Sequence, residues 1–322
     1  MPQTALMLAA QQGGPEAIDK LLCKLVVGGR TEWIFATPHC WHIAALNGKG
    51  LGVVATRIIG RGERIMAESP LATCSKHPRR RQDALVFARA VDRLLPAQRA
   101  AFYDLSQSEL VYGTRKTAEG VWRSNAYPTV EHDDGRTEAA VFAQVCRLNH
   151  ACAPNAHVAW SMSRAEQTVH AIREIAAGDE ITVSYAAPGT ECAARRLHLR
   201  NTFGFECDCS LCALTGAEMQ ASDVRQARLG ELSALLARSP SSGASSAQTV
   251  GLVTEKLHLL KAEGLPVEWA HMDMVTAFTS CCCRGEFALA RLWMQQAIEA
   301  AQTMLGKDSK VVQDLESILQ QR

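Results

Sequence analysis

The chain has 322 residues, of which 47% are hydrophobic and 21% are charged, a composition typical of folded globular proteins and not of disordered ones. Its formal net charge of +1 provides no overall field that would attract a nucleic acid, a membrane surface or an acidic partner. No apolar run approaches the roughly 18 residues of a transmembrane helix, and residues 1–12 lack the basic start of a secretory signal. We therefore expect an intracellular protein, in the nucleus or the cytoplasm, whose 12 cysteines are reduced.

Short elements alternate along the first part of the chain. Residues 18–27 have helix-like spacing that ends at Gly28-Gly29, and from His39 the pattern changes to β-like pieces separated by glycine. Residues 82–111 return to helical spacing. The apolar stripe predicted for this helical stretch consists of Leu85, Val86, Ala90, Leu94 and Leu95.

The rest of the chain begins with strands and ends with helices. Three stretches fit half-buried strands: residues 156–160, 168–172 and 181–185. Residues 191–202 fit a helix, and from Gly216 the sequence is helical apart from a Ser/Gly-rich loop at residues 239–246. The strands are too short for a doubly wound parallel sheet and lack its intervening helices. We predict an α+β fold, in which a core of short β-sheets carries a helical insert and an all-α C-terminal region follows.

The most specific pattern is the polar cluster Asn-His-Ala-Cys-Ala-Pro-Asn at residues 149–155, in otherwise apolar surroundings. Pro154 stops regular strand pairing, and the two asparagines carry donors and acceptors that need partners if they are buried. So many specified positions make an ordinary turn a poor explanation. The cluster resembles the hallmark motif of the SET-domain methyltransferases.

Further segments match that family in the expected order along the chain. They are the glycine turn at residues 47–52, the strand and turn at 55–62, the strand at 178–185 and the cysteine-bearing post-SET segment at 203–212. A lone Gly-x-Gly pattern would be weak evidence, whereas several motifs in order are specific. The resemblance implies the β-clip core of a SET domain.

The resemblance also implies how the chain is divided. The parts are an N-terminal extension (1–38), a SET domain (39–190) with a helical insert at about 76–122, a post-SET zinc segment (191–215) and a helical C-terminal domain (216–322). The insert and the tail are most similar to the SET-and-MYND subgroup. The MYND zinc finger is missing, because the only cysteine in residues 72–122 is Cys74. The repeat-like helices of the tail suggest tetratricopeptide-type hairpins.

Three clustered cysteines, Cys207, Cys209 and Cys212, are spaced closely enough to place three thiolates on one ion. A closed structural zinc site requires four ligands. The resemblance supplies the fourth ligand as Cys152, which would join the post-SET segment to the SET core. Three buried, reduced thiols without a metal are the alternative. The consecutive cysteines 281–283 diverge around a predicted helix and cannot share one ion, so we expect small core residues there.

The resemblance implies S-adenosylmethionine as the cofactor. Main-chain groups of the glycine turn, at Gly48, Lys49 and Gly50, would hold its methionine end, because residues without bulk let the backbone approach a ligand closely. The Asn149 amide and the main chain of His150 would contact the amino group and the adenine.

Three more residues complete the implied cofactor site. Asn125 resembles, in a looser match, an asparagine that reaches the methionine end. Phe205 would stack on the adenine, or else it is a core aromatic beside the metal. Tyr185 matches the family's catalytic tyrosine, whose hydroxyl would orient the amine and the methyl group. A purely structural tyrosine at a strand end is the alternative for that position.

The implied function is transfer of a methyl group from S-adenosylmethionine to the side-chain amine of a lysine in a histone or non-histone protein. Tyr185 and Phe203 would wall the substrate channel. Many relatives have a tyrosine where this chain has Phe203, which affects either the activity or the number of methyl groups added. The competing hypothesis is therefore a SET-fold interaction module with weak or no catalysis. A nucleic-acid partner has only residues 79–81 in its favour, and we interpret that basic cluster as a solvated loop.

Overall fold

The computed structural model describes residues 22–27, 30–35, 39–76, 83–131, 137–238 and 245–321. The strands are β1 (Leu22–Val27), β2 (Arg30–Phe35), β3 (Trp41–Leu46), β4 (Gly50–Ala55), β5 (Arg64–Glu68), β6 (Ala72–Lys76), β7 (Tyr127–Glu131), β8 (Thr137–Val141), β9 (Asn149–His150), β10 (Ala156–Ser161), β11 (Glu166–Ala171) and β12 (Glu180–Val183). The helices are α1 (Asp83–Asp92), α2 (Pro96–Asp104), α3 (Glu109–Tyr112), α4 (Ala118–Asn125), α5 (Cys192–Phe203), α6 (Gly216–Arg238), α7 (Ser246–Ala262), α8 (His271–Cys283), α9 (Phe287–Leu305) and α10 (Lys310–Gln320). None of these helices combines the length and the apolar character needed to cross a lipid bilayer.

The described strands form small sheets, as predicted for an α+β fold with a core of short strands. Their orders are β3-β4-β12-β9, β10-β11-β5, β6-β8-β7 and β1-β2. Strand β9 is only two residues long and pairs in parallel with β12, whose other edge pairs antiparallel with β4. Asn149 therefore lies opposite Thr182, and His150 lies opposite Val183. This pairing brings the 149–155 motif next to the strand that ends just before Tyr185.

The three strands predicted in the second part of the chain are confirmed as β10, β11 and β12, each within two residues of its predicted ends. The predicted helix at 191–202 is confirmed as α5. The prediction that these strands are half-buried is wrong for β11 and β12, which are buried at every position after the first because both of their faces are covered. Periodicity was nevertheless sufficient to locate these elements.

The helix-like prediction for residues 18–27 is wrong for the part that the structure describes. Leu22–Val27 is a strand, and it pairs antiparallel with Arg30–Phe35 from the register Leu22 opposite Phe35 to Val27 opposite Arg30. The stretch contains β-branched valines at its end, and the partner strand supplies threonine, tryptophan, isoleucine and phenylalanine, residues that favour pleated structure. Residues 18–21 lie outside the described part of the chain.

The helical insert comprises α1 to α4, and helices α1, α2 and α4 share a hydrophobic core with strands β6 and β8. Phe87 and Val91 of α1 are buried, and Phe87 stacks on Trp122 of α4 with ring centroids 5.1 Å apart. The predicted apolar stripe is thus wrong for Val86 in α1 and for Leu95 after it, which are exposed, whereas Leu94 packs against this core. The helix turns the face that carries Phe87 inward because α4 offers a large aromatic partner there.

The C-terminal region is all-α, as predicted, and its successive helices α6 to α10 pack against one another. Helix α7 begins with a capping box, in which the Ser245 and Gln248 side chains accept each other's backbone N–H groups. Along α8, Cys281 is buried, Cys282 half-buried and Cys283 exposed, so these cysteines diverge as expected, but the prediction of a core residue is wrong for Cys283 because it lies on the outer face of the helix. The tetratricopeptide similarity of this region and the domain boundaries stay predictions.

Candidate active site and cysteine cluster

The 149–155 motif folds as β9 and a turn whose polar groups find partners inside the protein. Buried Asn155 donates from Nδ2 to the Glu180 carbonyl oxygen over 2.8 Å and accepts at Oδ1 from the Thr182 N–H, also over 2.8 Å. A buried amide that is satisfied on both sides fixes the chain around it. Asn155 therefore locks the motif against β12.

A cavity of about 280 Å³ opens beside β9 and is lined by residues from distant parts of the chain. The predicted site residues that line it are Gly48, Lys49, Asn125, Asn149, His150, Tyr185, Phe203 and Phe205. The fold thus brings together the glycine turn, the 149–155 motif, the residue after β12 and the end of α5. These segments are separate in sequence, so their meeting depends on the sheet topology.

The glycine turn between β3 and β4 reaches the cavity through Gly48 and Lys49. Gly48 and Gly50 adopt φ angles of 72° and 76°, in the left-handed region that glycine occupies without strain. Gly50 is the first residue of β4 and, unlike the other predicted cofactor-binding residues, does not line the cavity.

Asn149 is held at the cavity by a network that joins three segments. Its Nδ2 donates to the Glu180 carboxylate over 2.9 Å and to the Leu51 carbonyl oxygen over 3.3 Å. The same carboxylate accepts from Lys49 Nζ over 2.8 Å. A side chain at Gly52 would place its Cβ 2.7 Å from Asn149 Nδ2, so glycine is required there for the amide to fit. The network fixes the amide nitrogen and leaves Asn149 Oδ1 with no bond from a described residue.

Asn125 comes from the helical insert, as the last residue of α4. Its Nδ2 donates to the Ser106 and Val121 carbonyl oxygens, both over 2.7 Å. Its own carbonyl oxygen accepts from the Cys146 thiol over 3.3 Å. These bonds fix Asn125 at the cavity, and its contact with the methionine end of the cofactor stays a prediction.

Three aromatic rings stand together at one side of the cavity. The Tyr185 and Phe203 ring centroids are 4.8 Å apart, and Phe205 lies 6.4 Å from Tyr185 and 6.0 Å from the His150 ring. Phe203 ends α5, and Gly204 follows in the left-handed conformation that closes the helix. The turn at Gly204 therefore brings both phenylalanines to the same cavity.

The Tyr185 hydroxyl is fixed by one strong bond and stays protonated. It donates to the Leu148 carbonyl oxygen over 2.5 Å. Burial raises the pKa of this hydroxyl well above its ordinary value, and the nearby Cys146 and Glu180 act in the same direction. At neutral pH the group is therefore a neutral phenol whose oxygen lone pairs remain available to a ligand.

His150 connects the cavity to the cysteine cluster through its ring. Nδ1 accepts from the Tyr185 backbone N–H over 2.9 Å, and Nε2 lies 3.2 Å from Cys152 Sγ. Because Nδ1 is an acceptor, the proton of the neutral ring is on Nε2, which donates to the sulfur. Burial lowers the pKa of His150 to about 4, which keeps the ring neutral.

The sulfur atoms of Cys152, Cys207, Cys209 and Cys212 all lie within 4.8 Å of one another, and the Cys152–Cys212 pair is 3.5 Å apart. Four sulfurs at about 2.3 Å from one tetrahedral ion would be about 3.8 Å apart, so the cluster has the dimensions of a metal site. The thiolate is the form that binds metal ions. The cluster can therefore hold a metal ion.

Apart from Asn125, sequence reasoning missed the residues that the helical insert contributes to the cavity. They are Ser106, Gln107, Ser108 and Ser124. Gln107 is buried and bonds three backbone groups: it donates to the Gly113 and Arg115 carbonyl oxygens and accepts from the Thr117 N–H. A polar Ser-Gln-Ser stretch carries no recognisable motif. The only sequence feature that could have indicated a role for this stretch was its location inside the helical insert.

Residues 50–186 match the family model of the SET domain. Over 271 residues the chain is 27% identical to histone-lysine N-methyltransferase set5 of Schizosaccharomyces pombe, a match that covers 84% of this chain and 80% of that protein. The SMYD2-B N-lysine methyltransferase of Danio rerio is 30% identical over 102 residues, which are 32% of this chain and 23% of that protein. Histone-lysine N-methyltransferase ATXR4 of Arabidopsis thaliana is 32% identical over 82 residues, or 26% of this chain and 25% of that protein.

Proposed function

We propose that this SET-domain protein transfers a methyl group from S-adenosylmethionine to the side-chain amine of a lysine in a protein substrate. The observation that carries the proposal is that Asn149, Tyr185 and Phe205, which come from three separate segments, line the same cavity. The curated relatives are named as histone-lysine or N-lysine methyltransferases, and the longest of the three matches extends over most of both chains.

The residues that line the cavity suit S-adenosylmethionine. Asn149 Oδ1 is available to accept a hydrogen bond from the amino group, while Nδ2 is held by Glu180 and Leu51. The backbone at Gly48 and Lys49 approaches the cavity without bulk, and Phe205 offers an apolar face to the adenine. When bound, this cofactor supplies a methyl group on a sulfonium ion.

The protein's own residues have to present a neutral amine to that methyl group. A free lysine titrates near a pKa of ~10.4, so neutralising it at pH 7 costs roughly 4 to 5 kcal/mol. An aromatic channel formed by Tyr185 and Phe203 lowers this cost, because it removes water from the ammonium. The Tyr185 oxygen accepts a hydrogen bond from the amine and aligns it for in-line transfer. Since its pKa is raised, this hydroxyl orients the amine and does not act as a base.

We further propose that the metal held by the cysteine cluster is structural zinc. Four thiolates are a typical zinc ligand set, and the distances between sulfurs match a tetrahedral site. The ion would tie the segment that carries Phe205 to the motif strand that carries Asn149. Metal analysis of the purified protein should find one zinc per chain that is lost in Cys152→Ser and retained in Cys282→Ser. Protein that contains no stoichiometric metal would contradict the zinc proposal.

Phe203 favours a second candidate, an interaction module with weak catalysis. The ring lies 4.8 Å from Tyr185 but provides no hydroxyl to hold the amine. Binding of partners would then use the surface of the helical tail. The two candidate functions differ in whether the protein transfers the methyl group of the bound cofactor to a substrate.

The test is incubation of the purified chain with methyl-labelled S-adenosylmethionine and cell lysate. We expect the label in a protein substrate, histone or non-histone, and on acid hydrolysis in methylated lysine. Label on another residue, or cofactor binding without transfer, would contradict the proposed reaction, and the second outcome would favour the interaction module.

A further inference from the structure

A buried arginine stands beside the cysteine cluster with part of its charge uncompensated. Arg195 lies on α5 and only 3% of its surface is exposed. Its Nη1 donates to the Thr190 carbonyl oxygen over 2.5 Å. Its Nε and Nη2 are buried and have no hydrogen-bond partner that meets strict geometry among the described residues. A buried guanidinium in this state is costly unless a negative group faces it.

Among the residues that line the gap beside Arg195, Cys152 is the one whose side chain can carry a negative charge. Arg195 and Cys152 line the same narrow gap, which Gln226 and Trp269 close from the helical tail. The Cys212 sulfur lies 3.5 Å from the Cys152 sulfur, so it belongs to the same group of sulfurs. In the described part of the chain no carboxylate forms an ion pair with Arg195. The sulfurs are therefore its electrostatic partners.

The charge of a filled cluster explains why a cation is buried there. One Zn²⁺ with four thiolates carries two negative charges in excess, and burying them without compensation is unfavourable. Lys49 is another cation near Cys207, but its ammonium bonds Glu180 over 2.8 Å. His150 contributes a neutral N–H donor to Cys152 and no charge. Arg195 is a buried full positive charge that lines the same gap as Cys152.

We propose that Arg195 is a positioning residue of the metal centre, whose Nε and Nη2 donate to the thiolates of Cys152 and Cys212 and offset the negative charge of the zinc complex. The inference rests on the proposed zinc site. Helix α5 would then contribute to two sites, because it carries Phe203 at the cavity and Arg195 at the metal centre. Loss of such supporting groups costs about 10- to 100-fold in metal affinity in other metal sites.

The first experiment measures zinc release from the full chain to a chromogenic chelator. Arg195→Gln should release zinc about 10- to 100-fold faster than the wild type. Arg196→Gln is the matched control, because Arg196 is the next residue on α5 but is exposed and forms only a 3.6 Å ion pair with Glu206. Equal release rates for Arg195→Gln and the wild type would overturn the proposal. A wild-type chain without zinc would instead refute the zinc site itself, so the two failures are distinguishable.

A second variant covers the case in which Arg195→Gln does not fold. Arg195→Lys keeps the positive charge but not the planar pair of N–H donors, so it should retain zinc more firmly than the glutamine variant. In the cobalt-substituted protein its sulfur-to-cobalt charge-transfer band should move to lower energy, because the sulfur lone pairs lose two N–H donors. A cobalt spectrum identical to that of the wild type would show that the guanidinium does not contact the sulfurs, and would overturn the proposal.

Discussion

The two walls of the cavity are built differently. On the motif wall, Asn149 and His150 lie on a strand whose backbone is paired with β12, and their side chains bond groups of neighbouring strands. On the insert wall, Asn125 and Gln107 hold helix ends and loops through side-chain amides that bond backbone carbonyl oxygens. The motif wall therefore has a rigid frame and exposes specific polar groups. The insert wall depends on a few side-chain bonds for its shape.

Because of this difference, we expect a substitution on the motif wall to weaken cofactor binding and a substitution on the insert wall to reduce mainly the stability of the fold. Asn149→Ala removes an acceptor for a charged amine, which is worth about 1.5 to 3 kcal/mol, so S-adenosylmethionine should bind about 10- to 150-fold more weakly. Isothermal calorimetry measures the affinity directly. Asn201→Ala, at an exposed position of α5, is the matched control and should bind like the wild type. Equal affinity of Asn149→Ala and the control would remove Asn149 from the cofactor site.

On the insert wall we expect a loss of stability and a smaller loss of binding. Gln107→Ala leaves the Thr117 N–H and the Gly113 and Arg115 carbonyl oxygens without their partner, which costs about 1 to 3 kcal/mol of unfolding free energy. Cofactor affinity should fall by less than in Asn149→Ala. Denaturant titration and calorimetry of the same samples check both statements, with exposed Gln296→Ala as the control. A stable variant that loses all binding would mean that Gln107 itself contacts the cofactor.

The motif wall could be predicted from the sequence, whereas only Asn125 was predicted on the insert wall. Residues 149–155 and 203–212 are specific because many fixed residue types occur at fixed spacing, and the cavity and the cysteine cluster bring them together. The phase of α1 depended on a tertiary contact, the stacking of Phe87 on Trp122, which no local pattern contains. The β1–β2 pair shows the same limit, because a short apolar run fits both a helix and a strand.

The smallest expected effect concerns the number of methyl groups added. Phe203→Tyr introduces a hydroxyl next to the Tyr185 ring, where it can hold a water molecule or the amine in the space of an added methyl group. We expect the wild type to form more di- or trimethyl-lysine than this variant, with cofactor affinity within a few-fold. Mass spectrometry of the methylated substrate determines the ratio. An unchanged product distribution would exclude Phe203 from the channel wall.

The most direct test of the central claim is the rate of methyl transfer by Tyr185→Phe at saturating cofactor. The variant keeps the ring but loses the hydroxyl that bonds Leu148 and that would orient the amine in the proposed reaction. Loss of one positioned contact predicts a rate about 10²-fold lower, with cofactor affinity little changed. Tyr103→Phe, at an exposed tyrosine of α2, is the matched control and should retain the full rate. Equal transfer rates for Tyr185→Phe and Tyr103→Phe would contradict the catalytic role assigned to this cavity.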